Sequence, residues 1–175
     1  MMQDLCTTPR LLLRPFVKED APVLFRLSRE EPLRRYIPDQ VYESLEEAEE
    51  VACFLAEKVT HGEWPYVLGI TLKDTGELIG HVGLSPVEEG IEIGYAVAVN
   101  HQGKGYATEA VAAFSKWAAE RFHLLRIFAI LRADNTPSRR VLEKAGYRLI
   151  WEREKQIFGG VYPCLGCLYT QEEKT

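Results

Sequence analysis

The sequence predicts an α/β fold built around a mostly antiparallel sheet of six or seven strands. Short turns join the apolar stretches between residues 64 and 99, which indicates three successive antiparallel strands. An amphipathic helix at 107–121 leads from the third of these to an apolar strand at 125–131, and such a crossover implies a locally parallel pair. Residues 149–169 have the pattern of a closing β-hairpin.

Ahead of these strands, the chain carries one further strand and two helical segments. Residues 8–16 are apolar and bracketed by prolines, as in a short strand, and a helix opens after Lys18. Ser44 and Glu47 have the spacing of a capping box, so a second helix begins there and continues to about Thr60.

The composition supports one globular domain spanning residues 1–175, because 46% of the residues are hydrophobic and 27% are charged. The net charge is -5 without a basic patch, which disfavours a nucleic-acid partner and is compatible with a cationic amine substrate. No N-terminal apolar run and no stretch of about 18 apolar residues is visible, so we expect neither a signal peptide nor a membrane span. We expect a cytoplasmic protein that is a monomer or a homodimer.

Four cysteines are too few for a disulfide framework in a chain of 175 residues, which favours a reducing compartment. Cys164 and Cys167 have the spacing of a metal or redox pair. No second such pair is present, and the pattern of a strand places residues three apart on opposite faces. We therefore expect a structural role for both cysteines and no metal site.

A glycine loop follows the strand at 91–99 and leads into the helix. A helix start offers unpaired backbone N–H groups and the positive end of the helix dipole. Gly103 and Gly105 have no Cβ, so an anion can approach their backbone closely, and Lys104 adds a positive charge. The loop predicts a site for a phosphate or pyrophosphate.

Two familiar phosphate loops do not fit this segment. A Walker loop requires Ser or Thr after Gly-Lys, whereas Gly105 follows Lys104. A dinucleotide loop requires a small residue where Thr108 stands. Gln102, Gly105 and Ala107 instead match Gln-x-x-Gly-x-Ala, which resembles the acetyl-CoA loop of the GNAT N-acetyltransferases. From the loop alone, an ordinary strand-to-helix turn remains the alternative.

Two more runs strengthen the resemblance to this family. The segment from 134 to 147 resembles the GNAT motif Asn-x-x-Ser-x-Arg-x-Leu-x-Lys-x-Gly-Phe, with Tyr147 in place of Phe. The matching positions are Asn135, Ser138, Arg140, Leu142, Lys144 and Gly146. Residues 8–15, with Asp20 after them, resemble the opening of the Rim-type branch, which modifies protein N-termini. The resemblance covers about residues 8–169.

The resemblance implies a strongly bent GNAT-like sheet with helices on both faces, splayed between the strand ending at Val99 and the strand starting at Leu125. It implies acetyl-CoA as donor and a primary amine as acceptor, with a protein N-terminus and small amines as candidates. The early helical region would wall the acceptor site. Binding of CoA without turnover, in a sensor or regulatory module, is the alternative function.

We expect the cofactor to contact the glycine loop and the strand before it. The loop contacts are Gln102, Gly103, Lys104, Gly105, Tyr106, Ala107 and Thr108. Gly94 lies inside that strand, where a glycine marks either a bulge or the close approach of a bulky neighbour. A bulge would free backbone groups, so the main chain of Val97 and Val99 is expected to pair with pantetheine. Asn135 and Ser138 are further expected contacts.

Acetyl transfer requires a base for the ammonium, donors for the oxyanion and an acid for the departing thiolate. The resemblance makes Ser138 the candidate acid, because no tyrosine lies between 107 and 146, the region where many GNAT enzymes place one. Glu92 is the candidate base, on the strand that feeds the loop, with His81 and Tyr162 as alternatives. A solvated carboxylate on an exposed strand face is the other interpretation of Glu92.

Overall fold

An eight-stranded mixed sheet runs through the chain, which a computed structural model describes for residues 6–172. The strands are β1 (Cys6–Thr7), β2 (Leu11–Arg14), β3 (Tyr66–Leu72), β4 (Leu78–Val87), β5 (Gly90–Val97), β6 (Arg126–Arg132), β7 (Arg148–Ile157) and β8 (Gly160–Thr170). The α/β fold is therefore confirmed, but six or seven strands was an undercount. The extra strand, β1, has two residues, which is too short for a hydrophobic pattern to reveal.

The sheet is split at its centre, as expected. Its order is β1-β2-β3-β4-β5-β6-β8-β7, and every neighbouring pair is antiparallel except β5 and β6. These two parallel strands pair only between Glu92 and Phe128, near the start of β5, and then diverge. The prediction that β5 continues to Val99 is wrong, because a 3₁₀ turn occupies Val99–His101.

Helices cover both faces of the sheet. They are α1 (Ala21–Ser28), α2 (Glu31–Tyr36), α3 (Leu45–His61), α4 (Tyr106–Arg121) and α5 (Thr136–Lys144). Buried Leu24 of α1 and Ala52 of α3 pack with Phe16 in one cluster. Phe114 of α4 and Leu142 of α5 belong to the main core on the opposite face. Each face of the sheet is therefore covered by its own helices.

The N-terminal Rim-like run is held by a partly buried ion pair between Arg14 and Asp20. The Arg14 guanidinium donates to both carboxylate oxygens of Asp20, at 2.7 and 2.9 Å. The Val17 N–H donates to the same carboxylate at 2.9 Å. Burial opposes ionisation of Asp20, but these bonds outweigh it and lower its pKa. The pair fixes the turn between β2 and α1.

Gly94 does not form a bulge, which corrects one of the two expectations for this residue. The register between β4 and β5 runs without a shift, and Gly94 lies opposite Gly83. The close approach of a bulky neighbour does not explain the glycine either, because a Cβ at Gly94 would have nothing within 4 Å. The side-chain position of Gly94 is therefore open space.

Cys164 and Cys167 lie in β8 and are buried, and all four cysteines are free thiols. Burial raises the pKa of both thiols, which makes them poor metal ligands and nucleophiles. No cluster of three or more His, Cys, Asp or Glu side chains in the described part of the chain is arranged to hold a metal. No helix within residues 6–172 is both long and apolar enough to cross a membrane.

Candidate active site

The glycine loop presents free backbone donors at the start of α4. Gly103 and Gly105 have φ angles of 76° and 82°, a conformation that side chains with a Cβ rarely adopt. The first helical bond runs from the Glu109 N–H to the Gly105 carbonyl at 3.0 Å, and Gly105 has no side chain to cap the helix. The amides of residues 105–108 therefore have no partner within the helix. They fit an anionic group such as a pyrophosphate.

Arg10 connects the glycine loop to the N-terminal strand. Its Nε donates to Glu109 at 2.7 Å, its Nη1 donates to the Lys104 carbonyl at 3.0 Å, and its guanidinium covers the Tyr106 ring at 4.3 Å. The Thr8 hydroxyl donates to the same Glu109 carboxylate at 2.6 Å. Partial burial opposes ionisation of Glu109, but these donors keep its pKa below the ordinary value. Two separate sequence motifs thus form one support for the loop.

The main chain beside the split is only partly available to pantetheine. The Val99 N–H donates to the Glu30 carboxylate at 2.9 Å, and the Val97 carbonyl accepts from the Gln102 side chain at 3.0 Å. The Ala98 N–H donates to the Ile79 carbonyl of β4. Because successive residues of a strand direct their backbone N–H and C=O groups to opposite sides, those of Val97 and Tyr95 point away from β4 and toward the split. The backbone groups available to pantetheine are therefore the Val97 N–H and the N–H and C=O of Tyr95, whereas the Val99 N–H is already engaged.

Ser138 lies at the start of α5, where Asn135 caps the helix. The Asn135 Oδ1 accepts from the Ser138 N–H at 3.3 Å, which leaves the Asn135 amide nitrogen for another partner. The Ser138 hydroxyl lies 2.6 Å from the hydroxyl of Tyr95, and the Tyr95 hydroxyl also lies 3.2 Å from the Ser138 carbonyl oxygen. Burial raises the pKa of Tyr95 to about 12, so its phenol stays protonated at neutral pH.

Tyr95 is the site residue that sequence reasoning missed. No tyrosine lies between residues 107 and 146, the region where the family resemblance leads us to expect one. A tyrosine arrives instead from β5, across the split. The available signal was strand alternation: Ile93, Tyr95 and Val97 share the face that packs toward α4 and α5.

Glu92 is on the opposite face of β5 and is largely removed from water. Burial raises its pKa to about 7, and Glu89 and Asp39 add to the rise while Lys155 opposes it. Lys155 itself is engaged with Glu89 at 2.7 Å, so it does not neutralise Glu92. A carboxylate in this state exchanges its proton near neutral pH, unlike a solvated surface glutamate.

The two alternative bases differ sharply from Glu92. His81 lies on β4, and burial lowers its pKa to about 4, so it is neutral and weakly basic at pH 7. The Tyr162 ring packs against the Arg132 guanidinium, 4.1 Å from the ring centroid. Arg132 in turn pairs with Asp134 at 2.8 Å. His81 is therefore a weak base at pH 7, and Tyr162 is packed against an ion-paired arginine.

These positions leave the split with a different group on each side. Tyr95 and Ser138 lie toward α4 and α5, where the glycine loop also lies, whereas Glu92 is on the opposite face of β5, in a cavity that Ile130, Lys155 and Phe158 also line. An acyl donor bound along α4 would therefore present its thioester to the split from one face. An acceptor would approach from the other face, beside a base.

A comparison with family models matches residues 10–148 to the acetyltransferase (GNAT) domain. The chain belongs to the GNAT acetyltransferase family. This GNAT chain is 33% identical over 144 residues to the uncharacterized N-acetyltransferase YnaD of Bacillus subtilis (strain 168), with 81% of each chain covered.

Two solved structures extend the comparison to this GNAT fold. A GNAT-family acetyltransferase from Bacillus anthracis is 26% identical with a TM-score of 0.82, covering 95% of this chain and 98% of that one. RimJ from Mycobacterium smegmatis, in complex with CoA-disulfide, is 27% identical with a TM-score of 0.76, covering 93% of this chain and 83% of that one. The expected Rim-type GNAT resemblance is confirmed.

Membership of the GNAT family makes the chain an acetyl-CoA-dependent acyltransferase. The prediction of acetyl-CoA as donor is confirmed. The relatives are named as acetyltransferases, which favours catalysis over binding of CoA without turnover.

Proposed function

We propose that this GNAT enzyme transfers the acetyl group to an α-amine, with a protein N-terminus as the favoured acceptor. Attack is direct, Glu92 is the general base, and Ser138 is the acid at the departing sulfur. The observation that carries this proposal is the placement of Glu92 and the Tyr95–Ser138 pair on opposite faces of the same split. Donor and amine then meet without competing for one entrance.

The chain's own groups are suited to hold the donor. The amides at the start of α4 and the side chain of Lys104 suit the pyrophosphate. Main-chain groups of Tyr95 and Val97 face the split and suit pantetheine, which carries its own amides. The Asn135 amide nitrogen is placed to contact pantetheine or an ordered water. When bound, acetyl-CoA supplies the activated thioester.

The proton affinity of Glu92 matches an α-amine better than a lysine side chain. An α-ammonium has a pKa of about 8, within about one unit of the pKa of about 7 that burial gives Glu92. A lysine ammonium has a pKa of about 10.4, which is about 3 units above that of Glu92, so transfer of its proton to Glu92 is strongly uphill. This match supports a terminal amine as acceptor, as does the Rim-like opening of the chain.

Ser138 and Tyr95 stabilise the leaving group chiefly by hydrogen bonding. A free thiol has a pKa of about 8.5, far below that of a serine hydroxyl or of Tyr95, so a full proton transfer to sulfur is uphill. A hydrogen bond from Ser138 to the sulfur strengthens as negative charge develops there. Tyr95 orients the Ser138 hydroxyl through their hydrogen bond.

A panel of peptides tests the acceptor. The enzyme is incubated with acetyl-CoA and peptides that carry a free α-amine, a blocked α-amine with an internal lysine, or neither, and free thiol and product mass are followed. We expect acetylation of the free α-amine only. Acetylation of lysine in the blocked peptide would contradict the acceptor assignment. Thiol release that is independent of any amine would contradict acetyl transfer to amines altogether.

The proposal also covers the domain organisation, the oligomeric state and the compartment of the enzyme. One catalytic domain spans residues 1–175, and it acts as a monomer or a homodimer. Its four free cysteines support a reducing compartment, so we propose the cytoplasm. Size-exclusion chromatography with light scattering would distinguish monomer from dimer.

A further inference from the structure

A cavity of about 470 Å³ lies between the sheet and helices α1 and α3, beyond the groups assigned to chemistry. Pockets of about 300–1,000 Å³ are the usual size for small-molecule sites. Its apolar wall consists of Phe16, Leu24, Val51, Phe54, Leu55, Pro65 and Val67. Among the lining residues of the described chain there is no lysine or arginine. The cavity therefore suits a neutral group rather than an anion.

The floor of this cavity is a ladder of cross-strand pairs between β4 and β5. Residues directly opposite each other project to the same face. In order along the ladder, the pairs are His81–Ala96, Gly83–Gly94 and Ser85–Glu92. Ser85 ends the floor, and Glu92, which pairs with Ser85, lines the adjoining cavity, two residues or about 7 Å along the strand from Gly94.

The glycine pair gives the cavity its depth. Two opposing residues without side chains leave a gap in the middle of the floor. A Cβ on Gly83 would lie 2.5 Å from the Val67 side chain, so this position cannot carry one without a shift. A Cβ on Gly94 would meet nothing within 4 Å and would project into the cavity. Gly94 is therefore the position where an added side chain fills the space.

Charge is confined to the rim of the cavity. Asp39 lines the cavity and is close enough to Glu92 to raise its pKa. His81, at the far end of the floor, is neutral at pH 7 because burial lowers its pKa. An ammonium is favoured at the acidic rim, whereas the interior favours an apolar group with at most a neutral polar tip.

We propose that this cavity selects the acceptor by its first side chain: the α-amine lies at Glu92, and a neutral apolar side chain, up to an aromatic ring, fills the space over Gly94. The proposal rests on transfer to an α-amine as proposed above. It names the substrate class as α-amines with a large apolar side chain, and it makes Gly94 a specificity-determining residue.

The test uses tripeptide amides that differ only in the first residue: Phe, Leu, Gly, Lys or Glu. For wild type, we expect kcat/KM for the Phe and Leu peptides to exceed the others by about tenfold or more. Gly94→Val should lower kcat/KM for the Phe and Leu peptides by about tenfold and leave the Gly peptide within about twofold. Val51→Phe, on the opposite wall, should act in the same direction, and Gly94→Ala serves as the milder variant.

Two controls separate the cavity from the chemistry. Acetyl-CoA affinity and thermal unfolding should be unchanged in the variants that show the shift. Equal rates for all wild-type peptides, or an equal loss for every peptide in Gly94→Val, would overturn the cavity proposal while leaving transfer to α-amines intact. If no peptide is acetylated, calorimetry with the Phe peptide decides separately: binding to wild type but not to Gly94→Val supports the cavity, and no binding overturns it.

Discussion

The hydroxyl oxygens of Tyr95 and Ser138 lie 2.6 Å apart. Tyr95 belongs to β5 and Ser138 to α5, so their hydrogen bond spans the split that separates β5 from β6. Burial raises the pKa of Tyr95, and the neutral phenol can therefore donate to Ser138 while Ser138 donates to a departing sulfur. We propose that the pair acts as one unit at the leaving-group end of the site.

Removing the Ser138 hydroxyl tests its role at the sulfur. Ser138→Ala should lower kcat by about ten- to a hundredfold, less than the strongest general-acid effects, because a thiolate is a tolerable leaving group at neutral pH. The acetyl-CoA dissociation constant should change little, since the loop amides remain. Tyr95→Phe should give a smaller loss, and the double variant should be no slower than Ser138→Ala.

A matched control comes from a second tyrosine–serine pair in the core. Tyr147 and Ser115 have hydroxyl oxygens 2.7 Å apart and are both buried. Tyr147→Phe removes an equivalent hydrogen bond, so it should lower stability by about 1 kcal/mol without affecting kcat. Unchanged turnover in Ser138→Ala would remove Ser138 from the mechanism, and additive losses in the double variant would show that the two hydroxyls act separately.

Local patterns predicted the elements around the site, but not the contacts between them. The glycine loop and the strand–helix–strand crossover depend on neighbouring residues, and the structure contains both. The link between Arg10 and Glu109 joins residues 99 positions apart, so no local pattern contains it. Arg10 belongs to the Rim-like run and Glu109 directly follows the glycine loop, yet their contact depends on how β2 meets α4.

The end of β5 shows why backbone details escaped prediction. Ala98 and Val99 continue the apolar pattern of the strand, but Val99 turns out of the sheet and donates its N–H to Glu30. Ala98 still pairs with β4 and is buried with Leu33 of α2, whereas Val99 is 49% exposed. An apolar pattern therefore does not distinguish a strand from the turn that ends it.

Gly105 tests the assignment of the phosphate site. Gly105→Val places a branched side chain at a φ of 82° and 3.4 Å or less from the Arg10 guanidinium, in the space that the pyrophosphate needs. We expect the acetyl-CoA dissociation constant to rise by about tenfold or more, which is about 1.4 kcal/mol. Calorimetric titration of the folded variant is the measurement.

The control for Gly105→Val is Gly62→Val. Gly62 has a similar φ of 65°, ends α3 and has nothing within 4 Å of its Cβ position. This variant experiences the same backbone strain away from the loop, so its acetyl-CoA affinity should stay at the wild-type value. Equal affinity for acetyl-CoA in both variants would contradict the phosphate site.

Arg10 supports the loop through a planar fork that lysine lacks. Its guanidinium contacts Glu109, the Lys104 carbonyl and the Tyr106 ring together. Arg10→Lys keeps the charge but loses this geometry, and we expect the acetyl-CoA dissociation constant to rise about fivefold, on the order of 1 kcal/mol. Arg148→Lys, at an exposed position on β7, is the control. Wild-type affinity in Arg10→Lys would show that only the charge matters.

The raised pKa of Glu92 also predicts a pH dependence of stability. The folded protein holds this proton up to about pH 7, whereas the unfolded chain releases it near pH 4.5, so the free energy of unfolding falls as the pH rises through this window. Glu92→Gln removes the effect. Relative to wild type, the free energy of unfolding of Glu92→Gln should rise by about 2 kcal/mol between pH 5 and pH 8, as measured by denaturant unfolding. A constant difference across this range would mean that Glu92 titrates normally.

The pH profile of acetyl transfer by Glu92→Gln, compared with wild type, tests the assignment of Glu92 as base most directly. With an α-amine peptide, wild-type kcat should rise to a plateau near pH 7 as Glu92 ionises. Glu92→Gln should be about a hundredfold slower at pH 7 and should keep rising through pH 8 and above, because it depends on amine that is already deprotonated. Glu152→Gln, which removes an exposed carboxylate on β7, should match wild type. A wild-type rate and profile in Glu92→Gln would contradict its role as the base.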